Sequence, residues 1–435
     1  MRILVLSHCW EPEDGVPQRR WSWLTRILVG EGHEVIVIAP HSNAMTFRRI
    51  VRQRGKGVSL SKDAEVGSSG ETIFRSGFHV KGHSLTQKIF NQGAVAVSML
   101  LASVALNFRD PRHKPHLIIG TVPALPTAIV TKIVAQCLNT PYIIDLRDAW
   151  PDLLRYSSEW NTGTGDRSLR EKILSRGPLQ LLTKLTGWGI ESALHSASGI
   201  ITTSISLAEH LGTKMQINSD SSGRTPKIET IRNVFPPTTD CETLQKKSHG
   251  ENELRVLYAG TVGRAQKLEN AVKAAELVQE RGYSVKLRIV GDGASWHALQ
   301  ERISNVHPNV EIEHRVDTEE LHSYYNWADS SLVHLTDWEP LSRTIPSKIY
   351  ELMEMGLHIS GVVDGEAADL IEGLNAGDVV PPESPETLSQ MWIDLIEDRK
   401  RLAVPSVGKE WVKKQRNEIV PMAMRKIIND VLTQG

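Results

Sequence analysis

The hydrophobic positions of the chain alternate between strand and helix patterns from its first residues. An apolar run at 3–6 predicts a buried strand, helical spacing at 21–29 predicts a helix that ends at Gly30 and Gly32, and the run at 33–39 predicts the next strand. Strands that alternate with helices form a parallel sheet covered on both faces. The chain therefore begins as a doubly wound α/β unit.

The same alternation continues beyond residue 199, stops at a polar linker and then restarts. Polar segments at 41–84 and 214–227 predict loops, and the polar stretch at 241–253 predicts the linker. Before the linker, the pattern predicts strands at 116–121 and 199–204, a strand beginning at 141, and helices at 125–138 and 168–197. After the linker, it predicts strands beginning at 254, 285, 310, 331 and 358, a helix at 268–280, and one or two helices at 411–432.

Two domains are expected because 435 residues exceed what one hydrophobic core usually serves. We predict an α/β fold of two doubly wound Rossmann-like domains, 1–238 and 252–408, that face a central cleft. Ligands bind at the carboxyl ends of the strands in open parallel sheets. The loops that follow the predicted strands are therefore the expected site.

Composition and cysteine spacing exclude several classes of protein. An apolar content of 40% and a charged content of 23% are ordinary for a soluble globular chain. Cys9, Cys137 and Cys241 are far apart and lack metal-ligand or redox spacing, which argues against a zinc site and a disulfide framework. The start of the chain shows no signal-peptide pattern. A reduced, cytoplasmic setting is expected.

The charge distribution suggests a peripheral position at the inner face of the cell membrane. Residues 1–200 carry a net charge of +8 and the remainder −9. A basic surface suits an anionic membrane or a phosphate-bearing acceptor, whereas nucleic acid is disfavoured because the basic residues are not interleaved with aromatic ones. The apolar stretch at 94–106 is too short to span a bilayer; a buried helix is expected, and a membrane-surface helix is the alternative. The densest basic cluster comprises Arg48, Arg49, Arg52, Arg54 and Lys56.

The first candidate loop follows the first predicted strand. Gly15 would allow the backbone to approach a diphosphate closely, and Arg19 or Arg20 could pair with phosphate. A plain connection between strand and helix is the alternative.

The second candidate loop, 145–151, has two carboxylates flanking an arginine directly after a buried strand. Charges at that position cost desolvation unless they are paired or used. Arg147 and Asp148 are the candidate catalytic residues, and a structural Asp–Arg pair is the alternative.

The third candidate loop, 258–267, places glycines, Arg264 and Lys267 at a helix N-terminus, where anions bind favourably. A surface loop is the alternative. The spacing of Gly260 and Gly263 does not match the dinucleotide-binding pattern GxGxxG, and this disfavours an NAD-dependent dehydrogenase.

The fourth candidate loop, 343–351, predicts a helix start after Pro346. Ser347 and Lys348 would occupy the first turn, and Glu351, one turn beyond Ser347, could share a face with it. A carboxylate at this place can accept hydrogen bonds from both hydroxyls of a ribose. A solvated helix start is the alternative, but the third and fourth loops together favour a nucleotide-sugar site more strongly than either alone.

At these loops the sequence resembles glycosyltransferase family 4, and within it the bacterial O-antigen and capsule sugar transferases such as L-fucosamine transferases. The resemblance covers nearly the whole chain, least well 41–84 and 214–250. The segments that carry it are EPEDG, GHEVIVIAP, DLRDAWPDLL, GTVGRAQKLENAVKAA, IVGDG, IPSKIYELMEMG and DGEAADLIEGLNAGDVVPP.

The resemblance implies a retaining enzyme with the GT-B fold and no obligatory metal. It implies that Glu351 binds the donor ribose, that Ser347 and Lys348 lie beside the pyrophosphate, and that Gly291 and Asp292 lie near the nucleotide base. It further implies that Gly15 approaches the diphosphate and that helices in 411–435 pack back on the first domain. Arg343 departs from the family pattern, because many members have a second glutamate eight residues before the ribose-binding one.

The expected reaction transfers a hexosyl or N-acetylhexosaminyl group from a UDP- or GDP-linked donor to a glycan or lipid-linked acceptor in polysaccharide synthesis. Arg264, Lys348 and the Ser347 N–H would stabilise the leaving diphosphate, with Lys267 in reserve. A nucleotide-sugar epimerase on the same scaffold and a non-enzymatic sugar-nucleotide-binding protein are the alternatives. No cofactor is expected, and no carboxylate cluster in the sequence suggests a divalent-ion site.

Overall fold

The computed structural model describes residues 1–12, 15–41, 64–77, 85–109, 114–122, 124–161, 178–217, 225–237, 252–304 and 309–433. Contacts divide the chain into two compact units. Unit 1 comprises Met1–Pro151, Leu174–Phe235 and Val420–Gly435, and unit 2 comprises Asp152–Ile173 and Pro236–Ile419. The basic cluster at 48–56 lies outside the described residues.

Unit 1 is built on an eight-stranded sheet of order β3-β4-β2-β1-β5-β6-β7-β8, in which every strand pair is parallel except β3–β4. Its strands are β1 (Arg2–Ser7), β2 (Glu34–Pro40), β3 (Glu65–Val66), β4 (Thr72–Ser76), β5 (Leu117–Val122), β6 (Tyr142–Leu146), β7 (Gly199–Thr202) and β8 (Lys227–Thr230). Its helices are α1 (Val16–Gly30), α2 (Leu85–Arg109), α3 (Pro126–Leu138), α4 (Pro178–His195) and α5 (Ile205–Ile217), joined by the C-terminal α13 (Val420–Thr433).

Unit 2 is built on a six-stranded, wholly parallel sheet of order β11-β10-β9-β12-β13-β14. Its strands are β9 (Glu253–Ala259), β10 (Ser284–Val290), β11 (Val310–Glu313), β12 (Ser330–His334), β13 (His358–Val362) and β14 (Gly377–Val380). Its helices are α6 (Glu269–Glu280), α7 (Trp296–Ser304), α8 (Thr318–Trp327), α9 (Lys348–Met355), α10 (Glu366–Gly373), α11 (Pro385–Glu397) and α12 (Val407–Lys414).

The two Rossmann-like sheets confirm the predicted α/β fold class. Strands such as β5 and β6 are buried along their length because both faces of the sheet are covered, which is why apolar residues dominate their sequences. Helix α1 begins at Val16, five residues earlier than predicted, because Pro17 fits the first turn of a helix.

The expectation of an unbroken loop at 41–84 is wrong for 65–76. Strand β4 pairs with β2 in parallel register, and β3 pairs with β4 through a turn in which Gly67 N–H donates to the Glu71 carbonyl at 2.8 Å. The side chain of Glu71 also accepts a hydrogen bond from Trp10 Nε1 at 3.1 Å. Long-range contacts therefore hold this turn.

The C-terminal segment contributes to both units. Helix α12 packs on α9 of unit 2, where Trp411 stacks on Tyr350 with ring centres 6.2 Å apart. After a π-helical turn at Gln415–Ile419, α13 packs on β8 of unit 1, and Lys426 pairs there with Glu229 at 2.6 Å. The predicted boundaries 1–238, 252–408 and 411–435 stay a prediction; the grouping by contacts differs from them at 152–173, 236–238 and 411–419.

The apolar stretch at 94–106 lies inside α2. Val95, Met99 and Ala102 face the core and are at most 2% exposed, whereas Val97 and Leu101 are exposed. Among the helices of the described residues, none is long and apolar enough to cross a membrane.

Candidate active site in unit 2

The carboxyl ends of all six strands of unit 2 lie along one edge of the sheet, because all the strands are parallel. The loops that leave this edge contain nearly all the donor-binding residues predicted from the sequence. Arg264 and Lys267 follow β9, Gly291 and Asp292 follow β10, and Ser347 caps helix α9, which begins in the segment after β12.

Two glycines allow the loops after β9 and β10 to lie against each other. A Cβ on Gly291 would lie 1.7 Å from the Gly260 carbonyl oxygen, and one on Gly293 would lie 2.1 Å from the Val262 carbonyl oxygen. The loops are joined by a hydrogen bond from Val262 N–H to the Asp292 carbonyl at 3.0 Å. Gly291 is therefore required by close packing of backbone, a role independent of any base that lies near it.

Asp292 is oriented by a histidine that follows β11. One of its carboxylate oxygens lies 2.6 Å from His314 Nδ1, and the other accepts from the Arg315 N–H at 3.3 Å. The hydrogen bond from His314 holds the pKa of the Asp292 carboxyl below its usual value. The His314 ring stacks on the buried Trp296 at a centroid distance of 4.0 Å, which fixes the His314 ring beside Asp292.

The predicted ribose-binding glutamate belongs to a three-residue cluster. Lys348 Nζ lies 3.0 Å from Glu351 Oε2 and 2.8 Å from the Tyr325 hydroxyl, and that hydroxyl donates to Glu351 Oε1 at 3.2 Å. Tyr325 is 1% exposed, whereas the side chains of Lys348 and Glu351 are each 26% exposed. The hydroxyl and the carboxylate overcome the cost of burial and raise the pKa of Lys348. The cluster thus presents a fixed ammonium and a fixed carboxylate to solvent.

Arg264 and Lys267 differ in how their charges are compensated. Lys267 Nζ lies 2.6 Å from Glu383 Oε2, and Thr336 Oγ1 donates to Glu383 Oε1 at 2.7 Å. Arg264 has no carboxylate partner among the described residues, and its Nε is buried without a hydrogen bond. Burial lowers the pKa of the Arg264 guanidinium. A partly buried cation without a partner is the more suitable ligand for an anion.

A cavity of about 160 Å³ opens at the carboxyl ends of β12, β13 and β14. It is lined by residues 335–339, 341 and 342 and by Asp364 and Pro382. Asp337, Trp338 and Glu339 therefore line a concave site. Among the described residues, no group of three or more His, Cys, Asp or Glu side chains could hold a metal ion.

Arg343, where the family pattern has a glutamate, is held by carboxylates. It pairs with Glu339 one helical turn away and lies 3.3 Å from Asp152 Oδ2. The chain therefore carries a carboxylate, Glu339, four residues before the expected position, at the rim of the cavity.

In unit 1, Gly15 caps helix α1 in an extended conformation with φ −171°. A Cβ there would meet only the flexible end of Gln18, at 2.8 Å, so backbone geometry does not demand glycine. The suggestion that Arg20 binds phosphate is wrong, because its side chain is 0% exposed and pairs with the equally buried Asp145 at 2.8 Å. Arg20 also donates to the Ile231 carbonyl at 2.9 Å, which ties α1 to the segment after β8.

The candidate catalytic pair follows β6. Arg147 is 8% exposed, and its Nε and Nη1 are buried without a hydrogen-bond partner among the described residues. Burial raises the pKa of the Asp148 carboxyl, and the charge of Arg147 opposes that shift. Asp145 forms its ion pair with Arg20 and not with Arg147. The alternative of a structural Asp–Arg pair therefore describes Asp145, whereas Arg147 keeps donors that have no partner among the described residues.

Sequence reasoning missed the residues that position the predicted ones. Tyr325 holds Lys348 and Glu351, Glu383 holds Lys267, and His314 holds Asp292. Tyr325, Glu383 and His314 each belong to a different strand–helix repeat from the residue that they hold. Only His314, which lies in the segment of a predicted strand that begins at 310, could have been suggested by the sequence.

Comparison with known proteins agrees with this geometry. Residues 253–398, all within unit 2, match the family model described as glycosyl transferases group 1. WcaI of Escherichia coli (strain K12), provisionally named a colanic acid biosynthesis glycosyl transferase, is 24% identical over 304 residues, which are 69% of this chain and 68% of WcaI.

Solved structures resemble the whole chain. Sucrose-phosphate synthase (tll1590) from Thermosynechococcus elongatus has a TM-score of 0.67 and 15% identity over 100% of both chains. Anabaena Alr3699/HepE, solved in complex with UDP and glucose, has a TM-score of 0.59 and 18% identity over 100% of this chain and 99% of its own. The chain therefore has the GT-B fold, and its unit 2 carries the sequence features of the glycosyl transferases group 1.

Proposed function

We propose that this protein is a retaining glycosyltransferase that moves a hexosyl or N-acetylhexosaminyl group from a UDP- or GDP-linked donor to a lipid-linked glycan. The proposal rests above all on Arg264, a partly buried guanidinium without a carboxylate partner among the described residues. It lies at the same sheet edge as the Lys348–Glu351 pair. Such an arrangement suits a ligand that carries both a diphosphate and a ribose.

In this proposal the nucleoside diphosphate lies along the carboxyl edge of unit 2. Glu351 accepts hydrogen bonds from the ribose hydroxyls, and Asp292 with its stacked His314 lies near the base. Arg264, Lys348 and the Ser347 N–H bind the diphosphate. Because negative charge grows on the diphosphate as the glycosidic bond breaks, preorganised positive groups lower the barrier.

The cavity lined by Asp337, Trp338 and Glu339 is the proposed place of the transferred sugar. Carboxylates accept hydrogen bonds from sugar hydroxyls, and an aromatic ring packs against the apolar face of a pyranose. Its volume is about 160 Å³, and we propose that it holds a single monosaccharide. With retention of configuration, no enzyme nucleophile is required, since the leaving phosphate can accept the proton of the acceptor hydroxyl.

Arg147 and Asp148 of unit 1 are proposed as catalytic residues that contact the acceptor. The buried, unused donors of Arg147 can bind an oxygen, and burial raises the pKa of the Asp148 carboxyl, which favours a role in proton transfer. The protein would act at the inner face of the membrane in cell-surface polysaccharide synthesis, as the name of WcaI suggests for that relative.

A donor panel tests the proposal. Isothermal titration with UDP, GDP and ADP, followed by thermal unfolding with UDP- and GDP-sugars, should identify one nucleotide that binds and one donor that stabilises the fold. Incubation of that donor with membrane lipid extract should release nucleoside diphosphate, and release should persist in EDTA. Failure of every nucleotide sugar to stabilise the protein would refute the proposal, and activity that requires added Mg²⁺ or Mn²⁺ would refute its metal-independent form.

A further inference from the structure

Exposed apolar side chains concentrate on three neighbouring helices of unit 1. Helix α2 packs against α3, and α3 packs against α4. Of the twelve exposed large apolar side chains in the described part of the chain, six lie on these helices. This α2–α4 face consists of Val97, Leu101, Ile133, Leu181, Leu185 and Trp188.

Helix α4 is apolar on two sides. Leu181, Leu185 and Trp188 follow the spacing of one helical stripe and are 60%, 56% and 70% exposed. The buried side of the same helix is formed by other residues, among them Ile190 and Leu194. A stripe of this kind normally packs into a core, so its exposure indicates a contact with another apolar phase.

The face is continuous from α4 to α3 and extends over α2. A Cβ on Gly189 would lie 2.6 Å from Ile129 Cδ1, so glycine permits close approach of α4 to α3. On the solvent side of α2, the exposed positions among 91–107 are Gly93, Ala94, Val97 and Leu101, which include no polar side chain.

The charge of the three helices is nearly all positive. Helices α2 and α3 contain no acidic residue, and α4 contains only Glu191. Glu191 pairs at 2.9 Å with Lys214, which belongs to α5 and not to these three helices. Of the basic residues whose side chains the structure describes on these helices, Lys184 is exposed, and Lys132 donates to Ser192 Oγ at 2.7 Å.

We propose that the α2–α4 face docks on an anionic lipid bilayer, with Trp188 and the leucines in the interfacial region and the lysines near the headgroups. Tryptophan is enriched at that depth, and basic residues are attracted to an anionic surface. A second copy of the chain fits less well, because a symmetric contact would bring together two positively charged faces. The inference rests on the proposed lipid-linked acceptor and adds the surface that meets its membrane.

Flotation with vesicles tests the docking surface. The full chain should float with vesicles of phosphatidylglycerol and phosphatidylcholine at low salt, and should not float with phosphatidylcholine alone. The double variant Leu185→Gln/Trp188→Gln should lower the partition coefficient at least tenfold. Val407→Gln is the matched control, since Val407 is an exposed apolar residue of α12 in unit 2, 48% exposed, and this variant should float like the parent.

Three results would overturn the proposal. The double variant could float like the parent. A variant with Ser at the five basic positions of 48–56 could lose binding while the double variant keeps it, which would identify that segment as the contact. The parent could remain unbound to vesicles and form a dimer that the double variant lacks, which would identify a second copy as the partner. Nucleotide binding by the parent and by each variant is measured in parallel. Because the docking residues lie in unit 1 and the proposed donor site in unit 2, failure of the docking proposal leaves nucleotide binding intact, whereas failure of the transferase proposal does not.

Discussion

Lys348 and Glu351 lie one turn apart on helix α9, with Nζ 3.0 Å from Oε2, and both contact the same tyrosine hydroxyl. Because Tyr325 is buried, it fixes the pair in one arrangement before any ligand binds. An ion pair on a solvated helix surface would lose this order to side-chain entropy. The geometry therefore supports a preformed site for a ligand with separate anionic and hydroxyl groups.

Glu351→Ala should weaken binding of the nucleoside diphosphate by about tenfold or more, because the ribose hydroxyls lose their acceptor at a cost of about 1–3 kcal/mol. Affinity for inorganic pyrophosphate should not fall, since Lys348 stays and loses a competing carboxylate. Titration calorimetry measures both. Glu372→Ala, at an exposed position of α10, is the control, and unchanged nucleotide affinity in Glu351→Ala would refute the ribose assignment.

Arg264→Ala should lower kcat by roughly 100-fold or more, the typical effect of removing one group that stabilises transition-state charge. Lys267→Ala should have a much smaller effect, because Glu383 already compensates the Lys267 charge at 2.6 Å. Steady-state kinetics with separate kcat and KM values distinguish the two. Arg281→Ala serves as a surface control, and equal losses in the Arg264 and Lys267 variants would contradict the different roles proposed for them.

Gly291→Ala should destabilise unit 2 by about 1–3 kcal/mol, because the added Cβ would lie 1.7 Å from the Gly260 carbonyl and must displace backbone. Gly373→Ala at the end of α10 is the matched control, since no atom lies within 4 Å of its added Cβ. That variant should be neutral or slightly more stable. Urea unfolding of both variants measures the difference, and similar curves would show that the two loops do not need this close approach.

Glu383→Gln should reduce stability at neutral pH and have no effect in acid. The hydrogen bonds from Lys267 and Thr336 hold the pKa of the Glu383 carboxyl below its usual value. A carboxyl with a lowered folded pKa adds stability above its unfolded pKa of about 4.3, and this contribution disappears as pH falls through the folded value. The loss should be about 1 kcal/mol or less, because the pair is partly exposed.

Thermal unfolding of the parent and of Glu383→Gln between about pH 7 and pH 3 measures this difference in stability. The gap between parent and Glu383→Gln should close only below about pH 4. A gap that is constant across this range would show that the lowered pKa of Glu383 does not contribute to stability.

The predicted elements depended on local periodicity, and most of them are present. Strands such as β1 and β5 are dominated by apolar residues because both faces of their sheet are buried, so each run is visible in the sequence. Strands β4 and β8 were missed because they are short and partly polar, and their pairing with β2 and β7 supplies what their own residues lack. Pairing between distant segments overrides weak local propensity.

The sequence by itself determined the two α/β repeats and the loops that contain Arg264, Asp292 and Glu351, because strand order along a parallel sheet brings all its carboxyl ends to one edge. Only the tertiary structure decided which charged side chains are neutralised by an ion-pair partner. Arg20 and Asp145 are 125 residues apart and neutralise each other in the core, and Lys267 and Glu383, 116 residues apart, do so at the surface. A side chain's partner depends on which strands are neighbours, and that order is set by packing of the whole unit and not by any local pattern.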